Sequence, residues 1–440
     1  MTIGDPALEP IERETITRVK WRMIPLLFLC YYAAYLDRVN VGFAALQMNH
    51  ALSLTATAFG LGGGIFFVGY FLAEIPSNLV LERVGARIWI ARILLTWGVI
   101  SGLTAFVWNE WSFYAIRFLL GIAEAGYYPG IILFLTWWFP SAYRSRMIAM
   151  FMTAIPVAVI TGSWASGFIL GMDGVWGLAG WQWLFVIEAV PAVILGVVVY
   201  FALTDRPEQA RWLTEPQRRW LCERLAAERA QRESIQHFGL GQALSNGRVW
   251  ALTLVYFGQN VTGYGFVLFL PQIVKQFGLS NIQTGFVSAL PFIGTLVGIL
   301  LWARASDRTG ARARLCGASL LSSAALLICC LLFQSSPLLT MATLILFQVA
   351  ASGIAPTFWA LPTAMLTGSA AAGGIALINS VGNLGGFLGP YTMGLVQDAT
   401  GSFVIGLLTI AFGSVVAGII VLALGHDRRL EEPAAPLVAG

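Results

Sequence analysis

Four ionisable side chains stand where charge is costly. Asp37 and Arg38 are neighbours, and Arg117 and Glu124 lie seven residues apart, each pair inside a long apolar run. Such groups inside a membrane mark function by default. A guanidinium presents a fork that matches a carboxylate through two parallel hydrogen bonds. A carboxyl removed from water holds its proton more tightly, so it can load and unload one. Arg38 therefore suits capture of an anion, and Asp37 and Glu124 suit proton exchange. Two cations and two carboxylates also cancel, so a purely structural network would be tolerated equally, although it would not need confinement to one half of the chain. Glu74 and Glu188 lie in further apolar runs and read as structural or gating partners. The apolar runs beyond residue 248 hold no ionisable residue in their interiors, and their polarity comes from Gln259, Asn260, Gln348, Thr357, Asn379 and Asn383.

Other chemistries find little support. His50, His237 and His426 fall in loops or tails, which disfavours a metal cluster. Cys30, Cys222, Cys316, Cys329 and Cys330 show no C-x-x-C spacing and read as small core residues. Gly62-Gly63-Gly64 follows no strand, so it reads as helix packing rather than a phosphate loop.

The elements that must position these residues follow from composition. The 440 residues are 58% hydrophobic and 11% charged, with a mean hydropathy of +0.75. Soluble domains carry about 25% charged residues, so a soluble enzyme, a disordered chain and a nucleic-acid binder are disfavoured together. The net charge of +4 is too small to call for a polyanionic partner. Apolar runs long enough to cross a ~30 Å hydrocarbon layer are placed at 22–46, 57–80, 88–108, 112–138, 146–170 and 181–203, then at 248–274, 283–303, 314–333, 338–362, 369–396 and 402–424. The expected fold is an all-α membrane protein with twelve transmembrane helices in two pseudo-symmetric six-helix bundles, 22–203 and 248–425. Residues 1–21 and 426–440 form the tails. The N-terminal stretch lacks the pattern of a cleaved signal peptide. Of the 26 Lys and Arg, all but Arg38, Arg92, Arg117 and Lys275 fall in or at the edge of the tails, the central segment or the loops around Arg83, Arg144 and Arg304. Both termini are then expected on the cytoplasmic side.

The segment 204–247 is the long hydrophilic interruption. Thr214 to Gln217 reads as a capping box with Pro216 in the first turn, opening an amphipathic helix to about Ala230. Trp220, Leu221 and Leu225 are available to rest on the membrane surface or on other loops. The halves echo one another: Glu82-Arg83-Val84-Gly85-Ala86-Arg87 recurs as Asp307-Arg308-Thr309-Gly310-Ala311-Arg312, and Gly126 and Pro129 recur as Gly353 and Pro356. Internal symmetry of this kind marks transporters built from repeated bundles. The loop acid and arginines can pair across the cytoplasmic face in one conformation and part in another, or simply anchor the loops. Gly382/Gly386 and Gly385/Gly389 form small-x-x-x-small pairs that let helices approach closely. Trp108, Trp111, Trp137, Trp138 and Trp181 sit near span ends, as an interfacial belt would.

A rise of ~1.5 Å per residue sets the depths. Asp37, Arg38 and Glu124 then share a layer ~15–18 Å below the outer face, with Arg117 at ~8 Å and within reach of it. Adjacent Asp37 and Arg38 point about 100° apart and need different partners.

The chain resembles the major facilitator superfamily through its 6+6 organisation and its acid-Arg-x-Gly-x-Arg loops. Tyr35-Leu36-Asp37-Arg38-Val39-Asn40, Glu74-Ile75-Pro76-Ser77-Asn78, Gly121-Ile122-Ala123-Glu124-Ala125-Gly126, Phe358-Trp359-Ala360-Leu361-Pro362 and Asn379-Ser380-Val381-Gly382-Asn383 resemble its anion:cation symporter family, in particular the bacterial tartrate-transporter-like branch. The resemblance implies a proton-coupled importer of a small organic anion, a hydroxy-dicarboxylate or aromatic carboxylate, in the bacterial inner membrane. It implies that Arg38 and Tyr35 hold the substrate carboxylate with Tyr70 nearby, and that Gln259, Trp359 and Asn379 contact the rest. Asp37 and Glu124 would exchange protons, with Arg117 neutralising Asp37 between loads. No cofactor or metal is implied beyond the coupling protons. The partners are a carboxylate substrate and the lipid bilayer, without nucleic acid, and the chain is expected to be a monomer. One departure stands out: Trp164 occupies the place where the branch usually has proline, and a tryptophan facing the cavity would narrow it or supply an aromatic wall.

Overall fold

The structure, a computed structural model, describes residues 10–233, 245–359, 361–362 and 369–425, and among these every regular element is a helix. The tail residues 1–9 and 426–440 lie outside the described residues, as do linker residues 234–244, with His237 and His426. The chain divides into two compact units: Met1–Leu54, Ile65–Ile235 and Leu279–Phe286 form one, and Thr55–Gly64, Gln236–Gly278 and Val287–Gly440 the other.

The first half of the chain runs through α1 (Pro10–Ala51), α2 (Ala56–Val84), α3 (Ala86–Leu103), α4 (Glu110–Glu124), α5 (Tyr127–Trp138), α6 (Ser141–Met152), α7 (Ala154–Ile169), α8 (Gly180–Ala202) and α9 (Glu215–Glu233). The second half follows as α10 (Gly247–Lys275), α11 (Asn281–Thr309), α12 (Arg312–Phe333), α13 (Pro337–Ala351), α14 (Ile354–Thr357), α15 (Ser369–Asn383), α16 (Gly385–Thr400) and α17 (Phe403–Ala423). Among the described residues nine helical segments are long and apolar enough to cross a membrane. The three other predicted spans, 22–46, 248–274 and 369–396, fall on α1, α10 and the α15–α16 pair. Their apolar character is diluted by Asp37, Arg38 and Asn40, by Gln259 and Asn260, and by a break at Leu384.

In the first unit α1 packs against α7 and α8, and α3 lies along α8. In the second, α10 packs on α16 and α17, and α12 on α17. The predicted small-residue pairs have a direct use here. A Cβ on Gly385 would lie 2.2 Å from the Phe257 carbonyl oxygen, and one on Gly389 2.1 Å from that of Val261. Asp398, near the end of α16, accepts the Ala56 and Thr57 backbone N–H groups at 2.9 and 2.7 Å. Burial alone would raise its carboxyl, but hydrogen bonds from Thr57, Ala56 and Thr55 outweigh that and hold it below the usual carboxylate range.

The predicted span 112–138 is not continuous. It stops at Glu124 and restarts at Tyr127, because Gly126 takes a left-handed conformation (φ +82°, ψ −3°). A Cβ at this position would also lie 2.4 Å from the Ser77 hydroxyl. Gly126→Ala is therefore expected to cost about 1–2 kcal/mol from the backbone conformation alone. It should lower the melting temperature of the purified protein by several degrees, and an unchanged melting curve would show that the break tolerates a side chain.

The central segment forms its helix as α9. Thr214 N–H donates to Gln217 Oε1 at 3.2 Å, and Arg18 reaches the same oxygen at 3.0 Å. Leu221 is buried, and Glu228 accepts the Ser141 N–H at 3.0 Å and lies 3.9 Å from Arg144. These contacts dock α9 on the basic-loop end of the first unit. At the start of α3, the Arg87 backbone N–H donates to Asp205 Oδ1 at 2.7 Å, and its Nε lies 3.9 Å from Oδ2. That arginine is thus engaged inside its own unit. The expected tryptophan belt is only partly present: Trp108 and Trp111 are exposed, whereas Trp138 and Trp181 are buried, and Trp138 stacks on Trp212 at 5.5 Å. Indole at the end of a helix is drawn inward when a neighbouring ring can cover it.

Candidate functional site

The charged residues of the first half converge. Asp37 and Arg38 sit on α1, and their side chains diverge as the helical offset requires. Asp37 is buried and faces α3, where it accepts Trp97 Nε1–H at 3.0 Å and the Ser101 hydroxyl. Asn40, one turn on, donates to it at 3.3 Å. Three neutral donors thus hold this carboxyl. Arg38 turns the other way and donates from Nη2 to Glu124 Oε1 at 2.5 Å.

Glu124 is the last residue of α4. Its helix ends there in carbonyl dipoles that disfavour a negative charge, and its side chain is 2% exposed. A cation must compensate both costs, and Arg38, 19% exposed, does so. Gly121 lets α4 approach α2 closely, since a Cβ there would lie 2.0 Å from the Phe66 carbonyl oxygen. The Phe66 ring then lies 5.7 Å from the Arg38 guanidinium and 5.0 Å from that of Arg117. Both distances are within cation–π range. The Tyr35 ring lies 5.1 Å from Arg38. Arg117 is buried beside the Phe66 ring, and Tyr70 packs 6.0 Å from Phe66.

Next to the ion pair stands an aromatic wall. Tyr31 packs on Tyr35, Tyr127, Tyr128 and Phe151, with centroids 5.1, 6.2, 5.9 and 4.3 Å away. The first unit therefore brings Tyr35, Asp37, Arg38, Tyr70, Arg117 and Glu124 into one neighbourhood. Sequence reading missed Trp97, Ser101 and Phe66. The i, i+4 pair of Trp97 and Ser101 within an apolar run was the signal for a polar stripe facing Asp37.

The remaining predicted contacts belong to the second unit. Trp359 packs edge-to-face on Tyr256 at 5.1 Å and on Phe358 at 5.3 Å. Gln259 and Asn379 are half-buried on α10 and α15. Between them Asn260 is buried and donates to the Gly382 carbonyl at 3.0 Å. Trp164, on α7, is 37% exposed and lies 5.7 Å from the Phe286 ring. No group of three or more His, Cys, Asp or Glu suited to a metal occurs among the described residues.

The model of the Major Facilitator Superfamily matches residues 27–390 and 252–439. The chain belongs to the major facilitator superfamily. It is 51% identical over 391 residues to a "Putative tartrate transporter" of Agrobacterium vitis, covering 89% of this chain and 86% of that one. It is 42% identical over 394 residues to a "Quinolone resistance transporter" of Acinetobacter baumannii, covering 88% and 90%. Among solved structures, a bacterial homologue of the human lysosomal transporter Spinster, inward-facing and occupied, superposes with a TM-score of 0.74 at 18% identity, covering 94% of this chain and 98% of that chain. This major facilitator protein is a multi-pass membrane transporter of the tartrate-transporter-like branch, and not an enzyme.

Proposed function

We propose that this transporter imports a small organic anion, a hydroxy-dicarboxylate or an aromatic carboxylate, together with protons, by alternating access between two six-helix halves. The observation that carries the reading is the Arg38–Glu124 pair. Glu124 occupies the guanidinium as a carboxylate substrate would. When Glu124 takes up a proton, its hold on Arg38 weakens and the guanidinium can turn toward the substrate carboxylate. A bare guanidinium in this low-dielectric setting is costly, so proton and anion arrive together. Asp37 is the second exchange site, with Arg117 nearby. Tyr35 and Tyr70 line the carboxylate end, and the aromatic wall accepts a ring or the carbon skeleton. Gln259, Trp359 and Asn379 contact the far end of the substrate. The concentration of arginine in alternate loops supports cytoplasmic termini, and the bacterial relatives support the inner membrane.

A drug carrier, running as a drug/proton antiporter, is the second reading, suggested by the Acinetobacter relative's name as a quinolone resistance transporter. The sign of proton movement separates the two. Proteoliposomes holding a pH dye receive hydroxy-dicarboxylates or aromatic carboxylates outside, with no imposed gradient. Symport acidifies the interior, antiport makes it alkaline, and a uniporter or anion exchanger leaves it unchanged. The same panel should raise the melting point of the purified carrier for a true ligand, by mass action on the folded state. Interior acidification by none of these anions would overturn the proposal.

A further inference from the structure

Glu188 stands apart from the other buried acids. It lies on α8, 4% exposed, and its Oε1 accepts the Ser166 hydroxyl at 3.2 Å. Its Oε2 is buried and finds no hydrogen-bond partner among the described residues. Nor does any Lys, Arg or His lie within 4 Å of the carboxyl among them. The titratable group that faces it is Asp37 of α1, a like charge, and the bridge between them is Asn40. Asn40 donates to Asp37 through Nδ2, while its own Oδ1 is buried without a donor among the described residues. Trp97 and Ser101 of α3 and Ser166 of α7 add neutral groups around the two acids, and the cation that bears on Asp37 is Arg117 of α4.

A lone carboxylate in such a place would leave an uncompensated charge beside another negative charge, at a cost of several kcal/mol. A neutral carboxyl has no such cost, and protonation at Oε2 turns that unpartnered acceptor into a donor in a region where Asn40 Oδ1 lacks one. We propose that Glu188 is a third proton-binding site of the transport cycle, carrying a proton in this conformation and communicating with Asp37 through Asn40. When Asp37 is ionised its charge holds the Glu188 proton in place, and when Asp37 is neutralised that constraint relaxes. This rests on the proton-symport reading above.

The test compares wild type, Glu188→Gln and Glu188→Asp, each as the full chain in proteoliposomes. Glutamine is isosteric and neutral and keeps an acceptor for Ser166, so it replaces a structural carboxyl without loss. Infrared difference spectra across a pH titration should show a protonated-carboxyl carbonyl band at neutral pH in wild type that is missing in Glu188→Gln. The ratio of protons to anion should fall by one in Glu188→Gln and return in Glu188→Asp. Normal coupling in wild type with an unchanged ratio in Glu188→Gln overturns the role of Glu188 alone. Absence of anion-linked proton movement in wild type overturns the symport reading instead. Should Glu188→Gln fail to fold, the wild-type titration still decides: no protonated-carboxyl band at neutral pH refutes the inference.

Discussion

Arg38→Ala is expected to abolish binding of the anionic substrate and both net uptake and exchange. Removing one partner of a buried ion pair typically costs about 3–5 kcal/mol, and about 1.4 kcal/mol is a tenfold change in affinity. A loss of roughly two to three orders of magnitude in affinity follows, measurable by ligand-induced thermal shift or equilibrium binding. The fold should survive, because Glu124 can relieve its unpaired charge by taking a proton. Arg38→Lys should rank between wild type and Arg38→Ala: it restores the charge but not the planar fork. Near-wild-type affinity in Arg38→Ala would remove Arg38 from the substrate site, and with it the competition between Glu124 and the anion.

Glu124→Gln should separate binding from coupling. Glutamine approximates the protonated acid, so Arg38 is permanently released toward substrate. Binding should persist, at wild-type affinity or tighter, and lose its dependence on pH near neutrality. Exchange of internal for external anion should continue. Accumulation driven by a proton gradient should fall toward unity, whereas each coupled proton gives about tenfold accumulation per pH unit across the membrane. Counterflow and uphill uptake measured on the same vesicles distinguish these outcomes. Uphill uptake that survives in Glu124→Gln would mean that the coupling proton resides elsewhere.

Much of this was legible in the chain itself. The helical spans follow from apolar runs of sufficient length, since a segment that cannot bond to water in the bilayer must satisfy its backbone internally. The candidate site was legible because charge is rare in such runs, so Asp37, Arg38, Arg117 and Glu124 could be picked out without an alignment. Their relative depth also followed from helical rise, which is a local property.

Pairing was not legible. Asp37 is held by Trp97, Ser101 and Asn40, while Arg38 goes to Glu124. Depth along a helix is fixed by residue number, but the partner is fixed by which helix face turns toward which neighbour. That choice depends on packing between segments distant in sequence. The break after Glu124 was also hidden: Gly126 within an apolar run looks like packing, whereas it takes a left-handed turn with Ser77 so close that a side chain has no room. Glu188 shows the same division. Its presence in an apolar run announced a costly group, but only the assembled helices, by bringing Asp37 near and, among the described residues, no arginine within ion-pairing distance, decided what that group has to do.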